Sequence, residues 1–85
     1  HYDATRLSIT GLPGILDNYI NNRYELQYSL YDYLYHNGYR QVSAAAVSDY
    51  AINGDERTAT ISFLLSDGRT ITGIYSKDSN SYSFY

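Results

Sequence analysis

Apolar residues recur at helical spacing through the first half of the chain and alternate through the second half. From Ile15 to about Asn37, a step of roughly 100° per residue gathers Ile15, Tyr19, Leu26, Leu30, Tyr33 and Leu34 on one face. Asn18, Glu25, Ser29, Asp32 and His36 share a polar side, and Asn21-Asn22 offers a break. Pro13, in the breaker cluster Thr10 to Gly14, suits the first turn of a helix. Asn37-Gly38 supplies a stop, because both residues tolerate the left-handed conformation that ends helices. Ahead of this segment, Thr5, Leu7 and Ile9 alternate with Arg6 and Ser8, as in an edge strand or extended arm.

After Gly38 the period changes to two. Val42, Ala44, Ala46 and Ser48 alternate with Ser43, Ala45 and Val47, although the alanine run would also serve a helix, so residues 39–48 read as strand or partly helix. Thr58 to Leu65 and Arg69 to Ser76 are strands, Lys77 to Asn80 is a polar turn, and Ser81 to Tyr85 is a short last strand. Two-residue hairpin turns at Asn53-Gly54 and Asp67-Gly68 would pair Ala44 with Phe63 and Ile61 with Ile74. One face of the sheet then collects Val42, Ala44, Ala46, Ala59, Ile61, Phe63, Leu65 and Ile74. The small alanines would let a helix approach closely, and Ala44, Ala46 and Gly73 would be the space-makers for a small-ligand pocket between helix and sheet.

Tyr24, Tyr28, Tyr31 and Tyr35, spaced by 4, 3 and 4, form one line along the helix. By the angular count they lie nearly opposite Leu26 and Tyr33. A leucine face on the sheet would leave much of this line outside, and tyrosine offers stiff contact area with a polar tip. These four residues are the candidate interaction surface. Three uses stay open: a protein or glycan contact, peripheral core under a curled sheet or the N-terminal arm, and an interface with a neighbouring domain or a second copy.

Composition narrows the classes. The 85 residues are 44% hydrophobic and 18% charged, which suits one globular domain spanning residues 1–85. Nine acidic and six basic side chains give a net charge of −3, and the basic ones are scattered singly. That pattern disfavours nucleic acid and anionic membranes, and no apolar run has the length for membrane insertion. Without cysteine there are no disulfides, thiolate zinc sites or cysteine nucleophiles. The absence of methionine suggests a piece of a longer protein. Many tyrosines with a single lysine resemble the composition of extracytoplasmic bacterial surface modules.

Candidate chemistry is sparse. His36 follows Asp32 by four residues and shares its helix face, which would place two metal ligands or an acid–base couple together. A site would need further ligands at suitable spacing, and a solvated helix end is the simpler reading. His1 is terminal. The carboxylates Asp3, Asp17, Glu25, Asp32, Asp49, Asp55, Glu56, Asp67 and Asp78 lack a paired spacing, and Asp55, Glu56 and Asp67 suit hairpin turns. No nucleophile elbow or phosphate loop occurs. Asp78-Ser79-Asn80 lacks the downstream glutamate of a calcium loop. No catalytic, cofactor-binding or metal residues are assigned.

From Leu26 to Tyr85, a helix followed by a strand meander resembles the cystatin/NTF2-like roll. From Tyr24 to Tyr85, the helix, strand, hairpin with an Asp-Gly turn and closing strand resemble PepSY-like modules. Both resemblances imply extracytoplasmic bacterial modules that bind or inhibit without catalysis. The expected fold is α+β: residues 1–14 an arm or edge strand, 15–37 helical, and 40–85 an antiparallel meander of three to four strands. The expected function is a non-catalytic binding module, with a small-ligand roll or an assembly domain as alternatives.

Overall fold

The structure, a computed structural model, describes residues 7–20, 22–39, 41–55 and 57–85. The readings above on His1, Asp3, Thr5, Arg6, Asn21 and Glu56 lie outside these residues. The fold is α+β, with two helices and a five-stranded sheet curled into a half-barrel. In chain order the elements are β1 (Ser8–Thr10), α1 (Gly14–Ile20), α2 (Arg23–His36), β2 (Ala44–Ile52), β3 (Thr58–Leu65), β4 (Thr70–Ser76) and β5 (Ser81–Phe84).

Capping sets the helix boundaries. The Pro13 carbonyl accepts the first α1 bond, from Asp17 N–H at 2.9 Å. Asn22 then interrupts the helical segment: its backbone is extended and its Oδ1 accepts from Tyr24 N–H (3.0 Å) and Glu25 N–H (3.4 Å), capping α2. At the other end Tyr39 N–H reaches back over Gly38 to the Leu34 carbonyl at 2.9 Å, the long bond of a Schellman closure. Because the segment is two helices, α1 takes its own phase. It buries Leu16 and Ile20 and leaves Ile15 67% exposed, which corrects the single continuous face expected for residues 15–37.

β2 to β5 form the antiparallel meander, and β1 adds a fifth strand, parallel to β2 with Ser8 opposite Ala44. A parallel neighbour requires a crossover connection, and α1 and α2 provide it. The strand within residues 39–48 begins only at Ala44, after a turn in which Val42 N–H meets the Tyr39 carbonyl at 3.3 Å.

Both hairpin registers differ from the two-residue turns expected. Ile52 pairs with Ala59 and Asn53 N–H bonds the Thr58 carbonyl, so four residues make the first loop. The ladder then shifts between Val47 and Asp49, a bulge at Ser48. An extra residue flips the pleat, so Ala45 rather than Ala44 or Ala46 is fully buried, and Val47 faces Phe63. In the second hairpin Gly68 N–H bonds the Leu65 carbonyl while Leu65 N–H bonds the Arg69 carbonyl, leaving a three-residue loop. Gly68 has φ +92, the left-handed position that such a loop closes on. Phe63 therefore pairs with Ile71 and Ile61 with Gly73. The buried side of β4 is Ile71, Gly73 and Tyr75, and Ile74 lies on the opposite face, not with Ile61 as expected.

The buried face of β3 matches its alternation, with Ala59, Ile61, Phe63 and Leu65 inside. Leu26, Leu30 and Leu34 of α2 share their core, joined by Leu7, Val42 and the α1 residues. Gly73 makes room: a Cβ there would lie 2.7 Å from the Phe84 ring and 3.4 Å from that of Phe63. The space that a small residue on β4 opens is thus filled by a β5 aromatic. Gly73→Ala should destabilise the domain by about 1–3 kcal/mol, read as a lower urea midpoint at unchanged slope. The penalty should shrink in a Phe84→Leu background; equal penalties in both would disprove the contact.

Candidate functional site

The tyrosine line of α2 is on one side of the helix, but its members meet different surroundings. Tyr24 is 76% exposed and Tyr28 55%, whereas Tyr31 and Tyr35 are half-buried. Helix geometry explains the split. Leucines every fourth residue turn the buried stripe by about 40° per step, while the 4-3-4 tyrosine spacing holds nearly straight. The two lines diverge most at Tyr24 and Tyr28 and close to about a right angle at Tyr31 and Tyr35. Tyr31 packs on the core, its ring 6.4 Å from that of Tyr35. Beside them is a crevice of about 70 Å³ lined by Tyr31, Leu34, Tyr35, Tyr39 and Val42.

A larger feature is an open groove of about 430 Å³ between α2 and β5. Tyr28, Ser29, Asp32, His36 and Asn37 line it from the helix, with Tyr33, Tyr82 and Phe84 as its aromatic lining. His36 Nδ1 is 3.6 Å from Asp32 Oδ1 and 3.2 Å from the Asp32 carbonyl oxygen. The pair that the i,i+4 spacing suggested is therefore formed, at the solvent-facing end of the groove. Among the described residues no third His, Asp or Glu joins a pair to make a metal-sized cluster.

The rings of the groove belong to an aromatic chain that runs along the α2–β4–β5 side of the core. Tyr19 meets Tyr75 edge-on at 5.9 Å, Tyr75 meets its cross-strand partner Tyr82 at 4.8 Å, and Tyr82 stacks parallel to Phe84 at 6.1 Å. Phe84 packs on Tyr33 at 5.5 Å and Phe63 at 6.4 Å, and Tyr33 stacks on Tyr39 at 6.5 Å. A cation closes each end: Lys77 Nζ lies 4.7 Å from the Tyr19 centroid, and the Arg69 guanidinium 4.1 Å from that of Tyr39. Each such contact stabilises by roughly 0.5–1 kcal/mol at an exposed site. The sequence reading did not assemble this chain. Its signal was the alternation of Ser81, Tyr82, Ser83 and Phe84, which becomes informative only once the Gly68 loop is read as three residues.

The hydroxyls of the chain differ in satisfaction. Tyr75 Oη donates to Asn80 Oδ1 at 2.9 Å, which ties Asn80, at φ +52, into the β4–β5 turn. That use leaves Asp78-Ser79-Asn80 as turn structure. Tyr82 Oη is buried with no hydrogen-bond partner among the described residues. Burial pushes the Tyr82 hydroxyl well above its ordinary range, helped by Tyr75 and the Glu25 carboxylate, and burial alone raises Tyr75. Elsewhere, Arg69 Nε donates to Asp67 Oδ2 at 2.7 Å in the exposed Gly68 turn and holds that carboxyl below the usual range. Asp55 Oδ1 accepts from Arg57 N–H at 3.0 Å, the turn role expected of it. A second groove, of about 340 Å³, lies by β1 between Leu7 to Ile9 and Arg23 to Gln27, where Gln27 Nε2 donates to the Leu7 carbonyl at 2.6 Å.

No helix among the described residues is long and apolar enough to cross a membrane. No family model, curated protein or solved structure matches this chain.

Tyr82→Phe should be neutral or stabilising by roughly 1 kcal/mol, since it removes a buried hydroxyl without a partner. Folded Tyr82 stays protonated above about pH 10, where unfolded tyrosine ionises, so stability is constant below that pH and falls as pH rises past it. Urea midpoints at about pH 8 and pH 10.5 should fall less in Tyr82→Phe than in the wild type. A clear loss of stability at neutral pH would show that the hydroxyl has a partner.

Proposed function

We propose that this domain is a non-catalytic binding module of an extracytoplasmic protein, which engages a protein partner through α2. The observation that carries this reading is the pair of large, polar-tipped rings, Tyr24 and Tyr28, held largely exposed on a capped helix. A helix fixes their spacing, so little conformational freedom remains for binding to remove. The neighbouring groove adds a mixed lining of Ser29, Asp32 and His36 over Tyr33 and Phe84, the combination of aromatic area and adaptable polar groups found in recognition surfaces. The resemblance to cystatin/NTF2-like and PepSY-like modules supports a binding role and the extracytoplasmic setting. A ligand held inside the roll is less favoured, because the room beside Gly73 is occupied by Phe84.

Peptides displayed on phage and selected on the immobilised domain test the reading. Enriched peptides should bind the wild type and bind the double variant Tyr24→Ser, Tyr28→Ser at least tenfold more weakly. The variant should keep the wild-type unfolding free energy in urea within about 0.5 kcal/mol, as exposed substitutions do. Equal binding to both proteins, or no enrichment, would overturn the assignment.

A further inference from the structure

Asparagine is followed by glycine at Asn37-Gly38 and at Asn53-Gly54, and both pairs sit in turns. The pair also carries chemistry. Asparagine is thermolabile, and a glycine after it leaves the next amide nitrogen unhindered by a Cβ, within reach of the asparagine Cγ. Closing that five-membered ring takes the same motion at either site. The asparagine Cα–C bond must turn until the glycine nitrogen swings in beside Cβ.

At Asn37 the fold opposes the turn. Its backbone stands at ψ 19, its N–H meets the Leu34 carbonyl at 3.3 Å, and its Nδ2 donates to the Tyr33 carbonyl at 2.7 Å. Gly38, at φ +85, leads directly into the Tyr39 N–H bond to Leu34. Rotation at Asn37 breaks that bond and pulls Tyr39 from its contacts with Tyr33 and Arg69. At Asn53 the rotation disturbs little. Its own N–H bond to the Thr58 carbonyl, at 2.9 Å, and the Ile52–Ala59 pair lie before the turning bond and stay in place. Gly54 and Asp55 lie beyond it, both exposed, and a Cβ on Gly54 would meet nothing within 4 Å. What must yield is the exposed bond from Asn53 Nδ2 to Thr58 Oγ1, at 2.5 Å, and the Asp55–Arg57 turn. Neither holds a core residue, so opening here is cheaper than at the end of α2.

We propose that Asn53 is a site of spontaneous covalent modification, at which the folded domain deamidates ahead of Asn37. This goes beyond the α2 reading and does not depend on it. The Gly54 nitrogen gives its proton to solvent base and bonds Asn53 Cγ, while Nδ2 takes a proton from water and leaves as ammonia. Water then opens the succinimide at either carbonyl, its hydroxyl going to carbon and its hydrogen to nitrogen. In sum one water is consumed and one ammonia released, with no oxidation or reduction. One opening gives aspartate, the other isoaspartate, whose main chain is longer by one carbon. Either product adds a negative charge beside Asp55 to a chain that already carries −3. Aspartate keeps a tie to Thr58, because the hydroxyl that accepted from the amide can donate to the carboxylate. Isoaspartate instead lengthens the loop that joins β2 to β3.

Incubation of the intact chain in heavy-oxygen water, at about pH 8 and 37 °C, followed by peptide mass mapping, tests this. Label should enter at Asn53 at least about fivefold faster than at Asn37. In concentrated urea, where both pairs lose their surroundings, the two rates should agree within about twofold. Gly54 lies outside the left-handed region and in open space, so Gly54→Ala should keep the wild-type urea midpoint. Its added Cβ should slow conversion of Asn53 at least about fivefold and leave Asn37 unchanged. Asn53 left intact in the folded chain, or converting no faster than Asn37, would overturn the proposal. Conversion of Gly54→Ala at the wild-type rate would overturn the route through the Gly54 nitrogen.

Discussion

Leu26, Leu30 and Leu34 return to one side of α2 at every fourth residue, and they share one buried cluster with the alternating face of β3. Burial of each large side chain on either face stabilises by about 1.5–3 kcal/mol, so this contact outweighs any single cap or surface pair. Neither element is stable alone: a helix of 14 residues is marginal in water, and a lone hairpin more so. Once α2 lies on β3, the rest is constrained. Asn22 caps α2, α1 and α2 carry the chain across from β1 to β2, and β5 comes against the flank of α2. The groove between α2 and β5 is what that contact leaves unfilled.

Aromatic side chains dominate that flank because it is a boundary. Between Phe63, fully buried, and solvent, a residue must be apolar along its body and polar at its tip. Tyr19, Tyr33 and Tyr39 meet that demand, Tyr82 departs from it with a buried hydroxyl that has no partner among the described residues, and Tyr75 turns its hydroxyl to Asn80 and so helps to fix the β4–β5 turn. Lys77 and Arg69 end the chain of rings where it meets water. Two of the scattered basic residues thereby acquire a structural role that their spacing in the sequence does not suggest.

What was legible in the sequence were the features whose cause is local. The stop at Asn37-Gly38, the break at Asn22, the alternation of β3 and the α+β class all follow from backbone preference or period. What was not legible depended on loop length. One residue more at Gly68 moves Ile74 out of the core and Tyr75 in, and the Ser48 bulge exchanges Ala44 and Ala46 for Ala45. Since the strand period is two, a single-residue error inverts every side chain beyond it, however clear the alternation. The tyrosine line was legible as a line, but its division into an exposed and a half-buried half required the direction in which the leucine stripe turns. The parallel seat of β1 followed from no local signal, because nothing in Ser8 to Thr10 specifies which strand it joins.

The electrostatic pattern bears on which kind of site this flank supplies. Catalytic groups are typically desolvated and shifted toward a working pH, in a cleft that water leaves. Among the described residues the groups displaced by burial are Tyr75 and Tyr82, and both move away from neutrality, toward a hydroxyl that keeps its proton. The carboxylate displaced most clearly, Asp67, sits in an exposed turn with Arg69, remote in role from the groove. Asp32 and His36, which do line the groove, remain solvated at its rim. These hydrated polar groups beside the aromatic surface are the ones that the recognition role proposed above would use to orient a partner.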